Sequence, residues 1–358
     1  MKTELKKCHN CLQGQAFSQT RGRKKCNNED FLDIIDPFEV DITKILNSKS
    51  FRRLKEKTQV FSFSKNNLIR NRLIHTLEVE EIAKTLALIL GLNVSLVKAI
   101  ALAHDIGHTS FGHLGEQYIK ATIDANFNHS TFGVIVAQNI EKKGQGLNLC
   151  FETLEGIMHH SSKNGFKIDR SLPVEYGIVM LADKIAYLFS DIEDAGRLGK
   201  FQTSLPKELY LFGENRTEQV ISCITAICKE SYQTGYLSFE NSNESEAFLI
   251  LKKWMYDNLY HILDGENERN VFWKKINKVY HLLNENLFLY KNLKDCDVAN
   301  ILATMTDDEI YNLSLIDNLS IKDIKVIENM GFLEIAPYCQ SLDYDKNNLF
   351  IDWPSFKS

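Results

Sequence analysis

The stretch RLIHTLEVEEIAKTLALILGLNVSLVKAIALAHDI, residues 72–106, decides the fold class. Apolar residues recur at Leu73, Leu77, Ile82, Leu86 and Leu90 with charges between them, which predicts a helix buried along one stripe and ended by Gly91. A second helix is predicted from Ser95 to about Ile106, burying Leu96, Val97, Ile100, Ala101 and Ala103, until glycines at 107 and 112 break the pattern. His104 and Asp105 then sit near a helix C-terminus. Further on, a third helix is predicted to start after Pro173 and run through Ile178, Val179, Leu181, Ile185 and Leu188 to about Asp194, with Gly196 as its stop. Helical patterning with aromatic anchors continues beyond residue 200, and five widely spaced prolines leave long stretches with their backbone donors intact. The expected class is all-α.

At 358 residues and 44% hydrophobic content the chain can bury a substantial core. Residues 1–30 are polar, carry Arg21-Gly22-Arg23-Lys24-Lys25, and read as a loosely packed arm; residues 31–200 read as the core and 201–358 as a helical C-terminal region packed on it. On the arm, Cys8 and Cys11 have the spacing of one edge of a zinc site, with His9 and Cys26 nearby, but solvent-exposed thiols are the favoured reading. The remaining cysteines are scattered, as expected of reduced thiols. Residues 239–246 read as a solvated loop. With no apolar run of about 18 residues and no secretory signal, the expectation is a cytoplasmic protein without a membrane partner. A net charge of -5 gives no support to nucleic acid as a partner.

Seven of the ten histidines lie between positions 75 and 160, which points to ligation rather than chance. The densest unit is His104-Asp105-Ile106-Gly107-His108-Thr109-Ser110-Phe111-Gly112-His113-Leu114-Gly115-Glu116. Neutral imidazoles and carboxylates suit a divalent metal of intermediate hardness, and His75 and Asp183 are the candidates to complete a set with His104 and Asp105. Asp183 follows the apolar run Ile178-Val179-Met180-Leu181-Ala182. Unpaired there, a buried carboxylate would cost several kcal/mol, a penalty that a bound cation removes. Asp183, Tyr187, Asp191 and Asp194 share one helical face, of which the first three are expected to line a cleft and Asp194, with Glu193, to form a solvated edge.

The order His75, His104-Asp105, Asp183 is similar to that of the HD superfamily. More narrowly, Ser50-Phe51-Arg52-Arg53-Leu54-Lys55-Glu56-Lys57-Thr58-Gln59-Val60-Phe61 and Arg72-Leu73-Ile74-His75 resemble the dGTPase-like group, as do the stretch from His104 to Glu116, Gly146-Leu147-Asn148-Leu149, Gly156-Ile157-Met158-His159-His160, Asp183-Lys184-Ile185-Ala186-Tyr187 and, weakly, Met305-Thr306-Asp307. The resemblance spans roughly residues 36–310. Thr109-Ser110 departs from a pair that contains proline in many members, without removing a ligand.

What the resemblance implies is an HD-domain helical bundle with additional C-terminal helices, binding a divalent ion (Mg, Mn, Co or Fe) through His75, His104, Asp105 and Asp183. It implies hydrolysis of deoxynucleoside triphosphates to deoxynucleoside and triphosphate, with the metal acting on the α-phosphate and a water. His113 with Glu116 is then the acid/base pair, Arg72, Lys184, His108 and His129 contact phosphates, and Gln59, Tyr187 and Asp191 select the sugar. Homo-oligomeric assembly and a nucleotide effector also belong to this expectation. Two rivals stand beside it: an HD-type phosphodiesterase or nuclease acting on a cyclic nucleotide or single-stranded nucleic acid, and a noncatalytic nucleotide-regulated scaffold.

Overall fold

The computed structural model describes residues 2–25, 34–62, 64, 66–161, 167–201, 203–263, 266–286, 297–316, 330–340, 344 and 349–350; Cys26, Phe31, Leu32 and Cys296 lie outside them. Among the described residues no strand occurs, and the protein is all-α. Helices α1 (Lys2–Cys8), α2 (Pro37–Leu46) and α3 (Lys49–Arg53) precede the long α4 (Arg72–Leu90) and α5 (Val94–Ala103). Next come α6 (His113–Thr122), α7 (His129–Ile135), α8 (Phe151–His159) and α9 (Val174–Arg197). The C-terminal helices are α10 (Arg216–Thr234), α11 (Asn243–Met255), α12 (Glu266–Asn286), α13 (Val298–Thr304) and α14 (Asp307–Ser314). No helix among the described residues is long and apolar enough to cross a membrane.

The centre of the bundle is α4, α5 and α9, which pack on one another. Local chemistry sets the first two: the Asn71 side chain accepts from the Ile74 N–H to start α4, Gly91 closes it in the left-handed region at φ 81°, and the Asn93 side chain then caps α5 through the Leu96 N–H. Val79, Ile82, Ala83 and Leu86 of α4 meet Leu96, Val97 and Ile100 of α5 and Ile178, Leu181 and Ile185 of α9 in a closed core. The predicted stripe of α4 is correct from Ile82 onward and at Leu73, which packs against the core half-buried, but fails at Leu77. Leu77 is 43% exposed, whereas Arg72, His75, Thr76 and Val79 are buried. Two residues turn a helix by about 200°, so turning His75 inward turns Leu77 out. Likewise Gly196 lies inside α9, which continues to Arg197; the left-handed residue that follows its end is Gly199.

The N-terminal segment is docked, contrary to the loose arm expected. Helix α1 packs on α10, with Cys8 and Leu12 buried, and the Asn10 and Leu12 N–H groups donate to the carbonyls of Ile89 and Leu90 at 2.9 and 3.0 Å. The segment then runs along the core as a strap: the Phe17 N–H donates to Glu175, Thr20 and Arg21 donate to Glu152, and Arg23 forms an ion pair with buried Asp41. Composition misled here because these polar groups meet buried carboxylates rather than water. Residues 239–241 are also tied down, since Phe239 is buried and Glu230 accepts from the N–H groups of Glu240, Asn241 and Ser242. Cys8, Cys150, Cys223, Cys228 and Cys339 are buried free thiols.

Candidate active site

Three helices deliver the histidine–carboxylate cluster. His75 comes from the first turns of α4, His104 caps α5 with Asp105 next to it, and Asp183 comes from the middle of α9. The His75 Nε2 lies 3.0 Å from Asp183 Oδ1 and 4.0 Å from Asp105 Oδ2, while the His104 Nε2 lies 3.3 Å from Asp105 Oδ1 and 3.9 Å from Asp183 Oδ1. The ring of His104 is oriented by its own helix: Nδ1 donates to the Ala101 carbonyl at 2.7 Å, which leaves Nε2 as the lone-pair atom. That Nε2 is buried without a hydrogen-bond partner, as is Nδ1 of His75. The oriented His104 ring, with a bare Nε2 beside two carboxylates that His75 Nε2 also faces, fits a divalent cation better than a hydrogen-bonded core.

His75, His104 and Asp183 offer ligand atoms within 4.8 Å of one another, and so does a second set, Asp105, His108 and His129. Asp105 lies between the sets. One oxygen faces His104 and His108, each at 3.3 Å, and the other accepts from Arg72 at 2.7 Å. Burial would raise its pKa, but His104, Arg72 and His108 outweigh that and keep the carboxylate ionised.

A cavity of about 800 Å³ opens over this cluster. Gln59, Arg72, His75, Asp105, His108, His113, His129, Asp183, Lys184, Tyr187 and Asp191 line it; His104 and Glu116 sit behind its wall. Lys184 is brought down to about 8 by burial and by neighbouring Lys252. Along α9, Tyr187 and Asp191 follow Asp183 at one-turn intervals, and all three line the same cavity, as the shared face predicts. Burial pushes the Asp191 carboxyl up to about 7 even though Tyr260 donates to it at 2.6 Å. Asp194, by contrast, is a buried partner of Arg70 and Arg197 rather than a solvated edge. The Gln59 Oε1 is buried without a hydrogen-bond partner.

The pairing of Glu116 with His113 is where structure and sequence reading differ. His113 is the exposed first residue of α6, whereas Glu116 is buried and accepts from His129 Nδ1 at 2.7 Å and from Lys120. Burial opposes ionisation of Glu116, yet His129 and Lys120 hold it far below the usual carboxylate range. His129 in turn stacks on His108 at 3.9 Å. Spacing along α6 could not show that the carboxylate would cross to α7.

Sequence reasoning quoted His160 within a motif but gave it no role, and passed over Lys252 and Tyr260; all three line the cavity. His160 caps α8 as His104 caps α5, donates through Nδ1 to the Ile157 carbonyl at 2.6 Å, and turns Nε2 to within 3.4 Å of His129 Nε2. Burial, with His104 and His129, brings it down to about 3. Its signal was a second helix ending in histidine; Lys252 and Tyr260 had none, being ordinary residues of a C-terminal helical region.

Comparison with known proteins gives the same reading. The HD domain family model matches residues 72–188, the span that carries the cluster. A deoxyguanosinetriphosphate triphosphohydrolase-like protein of Clostridium tetani is 37% identical over 333 residues, covering 88% of this chain and 93% of its own. Similarly named proteins of Clostridium perfringens and Caldanaerobacter subterraneus are 37% and 36% identical over 307 and 252 residues, covering 81% and 70% of this chain and 89% and 72% of their own. With the cluster, the cavity and near-full-length similarity in agreement, the chain belongs to the deoxyguanosinetriphosphate triphosphohydrolase-like family of HD-domain proteins.

Proposed function

We propose that the protein hydrolyses deoxynucleoside triphosphates to deoxynucleoside and intact triphosphate, with a divalent metal ion held by His75, His104, Asp105 and Asp183. The observation that carries this reading is a single cavity that joins His75, Asp105 and Asp183, with His104 directly behind its wall, to Arg72, Lys184, Tyr187 and Asp191. When bound, the ion supplies Lewis-acid stabilisation of charge developing on the phosphate. Arg72 and Lys184 donate to phosphate oxygens; Arg72, already fixed by Asp105 and the Thr58 carbonyl, does so with little loss of freedom. His108 and His129 add ring donors, the latter oriented by Glu116.

His113, on the exposed rim, acts as acid/base. It receives a proton from the attacking water or delivers one to the departing nucleoside oxygen as the bond from that oxygen to phosphorus breaks. Tyr187 fills the space beside C2′ and disfavours a ribose hydroxyl, while Asp191 and Gln59 hold the 3′-hydroxyl. The test is to incubate the purified protein with each dNTP and rNTP plus magnesium, manganese or cobalt and to identify products by chromatography. Deoxynucleoside with triphosphate is expected; mononucleotides released from single-stranded DNA, without triphosphate from any dNTP, would replace this reading with the phosphodiesterase or nuclease one.

A further inference from the structure

Asp307 begins α14, far along the chain from the HD-domain match, yet its carboxylate reaches the active-site loop. It is buried. One oxygen accepts from the Phe111 N–H at 2.9 Å, and the other accepts from the Thr58 N–H at 3.0 Å and from the Thr58 hydroxyl. A capping role does not explain this arrangement, because Thr306 and Glu309 already form a reciprocal capping box at the start of α14. The Asp307 side chain is therefore directed out of its own helix.

What it holds is a strained turn, whose local tie is the Thr109 hydroxyl donating to the Gly112 carbonyl at 3.0 Å. Phe111 lies in the left-handed region at φ 56°, unfavourable for a bulky side chain, and Gly112 follows at φ 55°. A Cβ at Gly112 would stand 3.2 Å from the Arg72 guanidinium and 3.3 Å from the Gln59 carbonyl, so the turn is pressed against the cavity wall. His113 comes next, and its direction into the cavity is set by how the turn enters α6. On the other side, Thr58 carries the bond onward, since its carbonyl accepts from Arg72 at 3.2 Å and Arg72 donates to Asp105. Lys57 adds a parallel tie through the carbonyls of His108 and Ala303.

We propose that Asp307 is a positioning residue for the hydrolysis: it fixes the Phe111–Gly112 turn against the Thr58–Gln59 wall and so sets the place from which His113 moves its proton. This rests on the acid/base role proposed for His113. A carboxylate with three donors from two separate segments defines their spacing, and a misplacement of about 1 Å at a reacting group costs on the order of 100-fold in rate.

The substrate panel on wild-type protein decides the hydrolysis reading first. The positioning role is then tested in a double-mutant cycle of Asp307→Asn and His113→Ala, on the fastest dNTP, or on bis(p-nitrophenyl) phosphate if no dNTP is turned over. Asp307→Asn keeps the shape but, whichever way the amide turns, places an NH2 opposite the backbone N–H of Thr58 or of Phe111, and is expected to lower kcat by roughly 30- to 100-fold with KM and metal content near wild type. In the His113→Ala background the same change is expected to cost less than about threefold, because the group it positions is gone. Full additivity, or an unchanged kcat in the single variant, overturns the proposal. Should Asp307→Asn not fold, Thr58→Val, which removes one of the three donors, enters the cycle under the same criteria.

Discussion

An imidazole whose Nδ1–H is committed to a carbonyl one turn back has only Nε2 to offer, and His104 and His160 are both tied in this way. Asp105→Ala is expected to lose both metal and hydrolysis, measured by metal analysis of the purified variant, since it removes the carboxylate that lies between the two ligand sets and faces His104 and His108. His113→Ala is expected to keep the metal and lose about 100- to 10,000-fold in turnover. Tyr187→Ala is expected to lower the ratio of kcat/KM for dNTP over rNTP; an unchanged ratio in a folded, metal-loaded variant makes the ring a packing residue. Asp191 adds a pH dependence. Its folded pKa of about 7 lies above the usual value, so the native state binds the extra proton, and its contribution to stability is lost as pH rises through 7. Asp191→Asn is therefore expected to raise Tm relative to wild type at pH 8 and to change it little below pH 4. Which residues converge on the cavity was legible in the sequence, because the side chains suited to metal and acid–base chemistry are few. Partners were less so, since Glu116 meets His129 and Asp194 meets Arg70 only after separate elements pack.

Among elements, the close approach of backbones does what side-chain patterning cannot report. At Gly107 a Cβ would lie 2.2 Å from both the Gly133 nitrogen and the His129 carbonyl oxygen, so the turn after Asp105 rests directly on α7. That approach brings His108 and His129 into a stack. Gly107→Ala is expected to destabilise the protein by about 3 kcal/mol or more, read by denaturant unfolding, because backbone rather than a flexible side chain must move. Helix existence was legible from period and caps, as in α4, α5 and α9. Helix phase was not wherever a polar residue holds an inward position: His75 takes the place in the core that the apolar pattern assigned to the face of Leu77. The Gly196 stop failed because the C-cap of α9 is made two residues later, with Leu198 donating to the Asp194 carbonyl.

Across the whole molecule, the two ends of the chain brace the HD core. Arg23 of the strap reaches Asp41 together with the Asn148 and Pro37 carbonyls, and Asp41 also accepts from Cys150 and Thr153. Arg23→Ala leaves that carboxylate buried without its cation and is expected to cost about 3–5 kcal/mol in unfolding free energy. None of this was legible beforehand, because a basic run in a polar segment gives no sign of which acid will receive it. The far brace has a consequence in time. Asp307 bonds to Thr58 across 249 positions of sequence. At about 5–20 residues per second, a ribosome takes roughly 12 to 50 seconds to travel that distance. By the end of the HD span at residue 188 the histidine–carboxylate cluster has all its members, yet the Phe111 amide still waits for its acceptor. A nascent chain is thus expected to assemble its histidine–carboxylate cluster well before the Phe111–Gly112 turn is fixed, and, on the proposed function, products truncated before α14 are expected to turn over substrate at least about 30-fold more slowly than the full chain.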